Sequence, residues 1–84
     1  MTGAIKHPHV TEKTVDKMDF DNKMVFICHT EAGKDQIENA VEQQFDLEVT
    51  DINTMITPKG EKKAELTLSD DYDAQEVASR IGVF

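Results

Sequence analysis

Tryptophan is absent from this sequence, cysteine occurs once, and proline only twice in 84 residues. A lone thiol, Cys28, cannot close an internal disulfide, so packing must hold the fold and a reducing compartment suits it. No apolar run nears the roughly 18 residues that would span a bilayer. The N-terminus lacks an apolar signal region, so the expected location is cytoplasmic, without membrane insertion. No two aromatics stand together on a strand, which argues against a sheet that stacks unpaired bases. Catalytic signatures are missing as well: there is no phosphate-cradling glycine loop, no GxSxG elbow and no HExxH helix. Cys28 and His29 are adjacent, but neighbours on a strand point to opposite faces, which leaves the thiol without a base. Asp70, Asp71 and Asp73 read as loop and cap residues. Neither an enzyme nor a cofactor is expected.

Basic residues are scarce too. Nine lysines and arginines face 17 acids, for a formal net charge of −8. Read as a sum, that balance argues against nucleic-acid binding. Position changes the reading. Residues 1–34 carry five lysines and five acids, and residues 35–57 carry six acids and no base. Residues 58–63 carry three lysines and one acid. One face can therefore meet RNA while another stays acidic. The acidic surplus also suits a cytoplasm of molar salt, where the Debye length falls to about 3 Å and carboxylates repel one another little.

Apolar residues make up 38% of the chain, with helical and alternating spacing, so a folded protein is expected. At this length it is one domain, 1–84, that buries roughly 60–65% of its unfolded surface. Thr11 to about Lys17 reads as a short helix, and Asp19 to Asn22 as a turn. Lys23 to His29 reads as a strand with Met24, Phe26 and Cys28 on one face and Val25 and Ile27 on the other, hence an interior strand. Ile37, Ala40, Val41 and Phe45 form one stripe of a helix over Gly33 to Phe45. Leu47 to Thr57 is a strand whose parity changes near Thr50-Asp51, which calls for a bulge or a late start. A turn at Thr57 to Gly60 leads into a strand over Lys63 to Ser69. Asp73 caps a last helix that runs to Ile81. The fold expected is α+β: a small antiparallel sheet of three to four strands with helices packed on its faces.

The block Ile5-Lys6-His7-Pro8-His9-Val10-Thr11-Glu12-Lys13 gathers cations in an otherwise acidic chain. Pro8 holds its start extended, and Thr11 then offers a helix cap with Glu12 in the first turn. It reads either as an arm that grips phosphates or as an ordinary strand-to-helix connection. Two histidines do not make a zinc site without two more ligands, so no metal is expected. Lys59, Lys62 and Lys63 lie on and beside a turn. They suit an RNA backbone, or they guard a strand edge against pairing. Asn53 and Thr54 can reach phosphate or the ribose 2′-OH, or fill a solvent-facing ladder. Asp35, Glu38 and Glu42 form an acidic helix face. It is either simply solvated or, in an acidic α+β adaptor domain, the docking face for a basic partner.

The pattern Ile-Lys-x-Pro-x-Val-Thr-Glu-Lys resembles the opening of the universal large-subunit ribosomal protein number twenty-three. Asn22-Lys23-x-x-Phe26, Ala32-x-Lys34-x-x-Ile37, Ala40-Val41-Glu42-x-x-Phe45, Ile52-Asn53-Thr54 and Gly60-x-Lys62-Lys63 resemble later segments of that family in the same order. The resemblance implies a structural protein bound to large-subunit rRNA at the rim of the polypeptide exit tunnel, next to neighbouring large-subunit ribosomal proteins. It implies a further short strand from the N-terminal arm and helices on both sheet faces. The rRNA contacts expected are Lys6, His7, His9, Thr11, Lys13, Asn22, Lys23, Lys34, Asn53, Thr54, Lys59, Lys62 and Lys63. In bacterial members the Val-x-Glu of the opening serves a ribosome-bound chaperone. Val10 and Glu12 are therefore the expected docking residues for nascent-chain factors such as the signal recognition particle. The short turn at 57–61 resembles archaeal members, and the acidic composition points to a salt-loving source.

Overall fold

The computed structural model describes residues 4–82. Its elements run β1 (Ile5–Pro8), α1 (Glu12–Asp21), β2 (Lys23–Cys28), α2 (Lys34–Phe45), β3 (Val49–Ile56), β4 (Lys62–Leu68) and α3 (Ala74–Arg80). The four strands form one antiparallel sheet in the order β1-β2-β4-β3. The expected α+β fold with an antiparallel sheet is what forms, and the arm supplies the fourth strand.

Register decides the two faces. Met24, Phe26 and Cys28 pair with Leu66, Ala64 and Lys62, and Ile52 and Thr54 pair with Leu66 and Ala64. Apart from Lys62, these face the core, where Phe26, Ile37, Val41 and Leu66 have no solvent exposure. Ala32, Ala64, Ala74 and Ala78 are equally sealed, so small side chains let helices and sheet approach closely. Phe26 stacks on Phe45 with ring centroids 5.5 Å apart. Met18 of α1 and Ile37, Val41, Ala74 and Val77 of α2 and α3 all enter this one core. The back face carries Val25 and Ile27, both buried yet outside that core. The implied covering of both faces is thus uneven. The helix α1 reaches round to the back face through Lys17, which pairs with Glu65 there.

β2 is the interior strand that its double-sided apolar pattern requires. The parity change in β3 is a bulge: Val49 pairs with Leu68 and Asp51 with Thr67, which leaves Thr50 unpaired between them. Cys28 is buried, and burial pushes its thiol up to about 11 against the opposing pull of Lys62. It is a core thiol, inert at neutral pH.

The helix α1 outruns its sequence-based boundary. It continues past Lys17 through Asp21, because Met18 is buried and Asn22 takes the left-handed cap at φ 55°, donating its amide to the Lys17 carbonyl. The turn chemistry of Asp19 to Asn22 is realised at Asn22 alone. Its side chain donates to the Tyr72 carbonyl at 2.9 Å and accepts from the Ala74 amide at 2.8 Å. One residue therefore ties the α1–β2 junction to the start of α3. Asn22→Ala is expected to lower stability by about 2–3 kcal/mol, from lost hydrogen bonds and an unfavourable left-handed alanine. Denaturant titration in molar potassium chloride measures this. Asn22→Gly should recover only the backbone share.

Candidate nucleic-acid interface

The back face of the sheet can be written out row by row. Lys23, Thr67 and Asp51 form one cross-strand row, and Val25, Glu65 and Asn53 the next. His7, Ile27, Lys63 and Met55 form the third. His9 follows with its amide on the Val25 carbonyl at 2.9 Å. Two shallow clefts open on this face and share His9 and Lys63. One, of about 390 Å³, runs to Thr11, Lys13 and Lys17 of the first turns of α1. The other, of about 350 Å³, runs over Ile27 to Pro58 and Lys59 of the β3–β4 turn.

The turn is placed by Gly60, whose φ of 82° suits glycine, and by the Thr57 carbonyl, which accepts from the Gly60 amide at 2.9 Å. Thr11 is spent on local order: its hydroxyl accepts from the Thr14 amide while the Thr14 hydroxyl accepts from the Thr11 amide. That reciprocal cap fixes where Lys13 and Lys17 leave the helix.

Lys17 and Lys23 both reach Glu65, the second at 3.2 Å. The hydrogen bond from Lys17, then that from Lys23, holds the Glu65 carboxyl below its ordinary 4.5 against the opposing effect of burial. A depressed carboxyl adds stability that is complete above its unfolded value and is lost as pH falls through its folded one. Glu65→Gln is therefore expected to flatten the loss of stability below about pH 4.5, read by urea titration between about pH 3 and pH 6.

The back face, with its two clefts and ion pairs, holds five lysines (13, 17, 23, 59 and 63) and four acids (Glu12, Asp51, Glu61 and Glu65). The whole chain has nine bases and 17 acids, so the charge is sorted by face. Cations that emerge over the buried apolar floor of Val25 and Ile27 can contact phosphates at close range.

Not all expected contacts gather here. His7, His9, Lys13, Lys23, Asn53, Lys59 and Lys63 lie on or beside the back face. Lys62 leaves β4 on the opposite side and donates to the Ala32 carbonyl at 2.7 Å. Thr54 also faces the core side, opposite Ala64. Asn22 is engaged by the β4–α3 loop. Lys6 is exposed at the bulge in β1, and Lys34 is exposed at the start of α2. Lys17 was not among the residues expected from sequence. It stands four after Lys13, and a helix running past Lys17 puts both on one side. Val10 is 46% exposed and borders a separate opening with Glu12, Val15 and Asp16.

A family model described as ribosomal protein L23 matches residues 3–76. The large ribosomal subunit protein uL23 of Haloquadratum walsbyi is 55% identical over 84 residues, all of both chains. That of Natronomonas pharaonis is 62% identical over 81 residues, 96% of this chain and 99% of the relative. That of Haloarcula marismortui is 58% identical over 81 residues, 96% of this chain and 95% of the relative. All three relatives come from halophilic archaea.

Proposed function

Because the chain belongs to the ribosomal protein L23 family, we propose that it binds large-subunit rRNA through the back face of its sheet, at the rim of the polypeptide exit tunnel. It is a structural component of the large subunit and no enzyme, and its place is on the ribosome in the cytoplasm. Membership of this family favours the ribosomal reading over a free acidic adaptor. The observation that carries the RNA reading is the sorting of charge, with five lysines around the two back-face clefts of an acidic chain.

The mechanism is binding. Lysines neutralise phosphates and release counterions, while His7, His9 and Asn53 fix register on backbone and ribose. Among the described residues no phenylalanine or tyrosine lines the two back-face clefts, so the RNA is recognised there by shape rather than by sequence. Tagged protein in lysate of the native organism, at native salt, should co-sediment with large subunits and leave them on ribonuclease treatment. Migration as a free small protein, indifferent to ribonuclease, would sink the reading.

The opening beside Val10 fits a second role, a seat for nascent-chain factors such as the signal recognition particle. Val10 offers an exposed apolar contact, and Glu12 and Asp16 flank it with charge. Val10→Ala with Asp16→Lys, which spares the RNA cleft, is expected to weaken factor binding about tenfold, the result of losing roughly 1.4 kcal/mol. Large-subunit incorporation should be unchanged, and quantitative pelleting of the factor with variant subunits measures the difference.

A further inference from the structure

The sheet has two edges, and only one is guarded. β1 has four residues and carries Lys6 and Pro8. A short strand, a lysine and a proline are the usual means of keeping further strands from pairing. β3 is the opposite edge, has eight residues, and contains neither lysine, arginine nor proline. Its beginning is closed by the chain itself, where the Val49 amide donates to the Glu42 carboxylate at 2.9 Å. From Asp51 to Ile56, the described residues outside β4 supply no hydrogen-bond partner. At the end of this open run Met55 and Ile56 are 53% and 59% exposed. As consecutive strand residues they stand on opposite faces. The surroundings are acidic, with six acids and no base in residues 35–57.

We propose that the outer edge of β3, from Asp51 to Ile56, takes up an extended, lysine- or arginine-rich segment of a neighbouring protein as a fifth strand of the sheet. Backbone groups supply the pairing, as in other cases of strand addition. Met55 and Ile56 straddle the incoming strand and pack against an apolar side chain on each face. Asp51, with Glu48 and Asp46 just before it, selects cations on the partner. The same acids disfavour an RNA backbone at this edge. A second copy of this chain would bring the same acidic run and a net charge of −8 against itself. The proposal rests on the chain's place in the large subunit.

Hydrogen exchange of residues 51–56 in large subunits, compared with the isolated protein at equal potassium chloride, tests it. At least tenfold slower exchange of the outward amides is expected in the subunit. A photo-cross-linker at the exposed edge residue that faces away from the back of the sheet, Ile56→p-benzoylphenylalanine, should give an adduct whose mass spectrum reads as a basic segment of another protein. Unchanged exchange in subunits that contain the chain overturns the proposal alone, as does an adduct to rRNA or to a second copy. Absence of the chain from the subunit peak overturns the placement and this proposal with it. The variant Ile56→Lys, guarded as β1 is and off the back face, should still sediment with the subunit and lose the protection. Retained protection would count against the edge as the docking surface.

Discussion

Phe26→Ala is expected to cost about 3–5 kcal/mol and to leave much of the protein unfolded at physiological temperature. Phe26 has no solvent exposure, sits on the interior strand, and stacks on Phe45. Removing the ring deletes its transfer free energy and opens a cavity that helix and sheet cannot both close. At roughly 0.05–0.15 kcal/mol per residue, a chain of 84 residues holds about 4–13 kcal/mol in total. The loss is thus a large share. Phe20→Ala removes the same ring from a side chain that is 81% exposed, and should change stability by less than about 0.5 kcal/mol. Chemical denaturation of the two variants at fixed molar potassium chloride is the comparison. Equal midpoints for the two would mean that Phe26 is not the centre of the core.

The opposite fates of these two rings mark how far the sequence was legible. Phe26 sits in an unbroken apolar run, and the two-residue period of a strand placed it with Met24 and Cys28 on one face. The stripe of Ile37, Val41 and Phe45 identified α2 in the same way, because helical period and core burial coincide there. Phe20 lies among Asp19, Asp21 and Asn22, whose local turn chemistry competes with helix. What decided the matter was the burial of Met18 and the docking of Asn22 onto the β4–α3 loop, contacts that span some 50 residues of chain and leave no local trace.

The candidate interface was legible in residue type and only partly in geometry. Lys62 and Lys63 are neighbours in sequence, so they looked like one cluster. Strand alternation sends them to opposite faces, and Lys62 is held by the Ala32 carbonyl. Lys13 and Lys63 are 50 residues apart, yet they line the same cleft. Sheet order β1-β2-β4-β3 makes that meeting, since it sets β4 beside β2 and so beneath the start of α1. Order of strands is a property of the whole core, which is why neither charge nor spacing revealed it. Asn53 and Thr54 were likewise read as one pair, yet alternation puts Thr54 on the core side opposite Ala64 and leaves Asn53 alone on the back.

Neutralising Lys13, Lys59 and Lys63 together is expected to weaken binding to large-subunit rRNA by about 100-fold. The value follows from roughly 1 kcal/mol for each exposed or half-exposed phosphate contact after screening. The salt slope is the sharper readout. Each lost contact should remove about 0.7–0.9 from the slope of log affinity against log salt, so the triple variant falls by about 2–3. Screening gives this prediction its form. At about 1 M salt the Debye length is near 3 Å, so long-range attraction contributes little and only cations that touch phosphate count. The clefts around His9 and Lys63 place such cations over a buried apolar floor of Val25 and Ile27. Neutralising Asp35 and Glu38 on α2 instead raises the net charge by two without altering the back face. If binding depended on total charge, that variant would gain about two-thirds of what the lysine variant loses, two charges against three. If it depends on contact, affinity and slope should stay where they are. Binding of a large-subunit rRNA fragment, measured over a range of potassium chloride for the parent and both variants, separates the two. A triple lysine variant with an unchanged slope would remove the back face from the RNA interface.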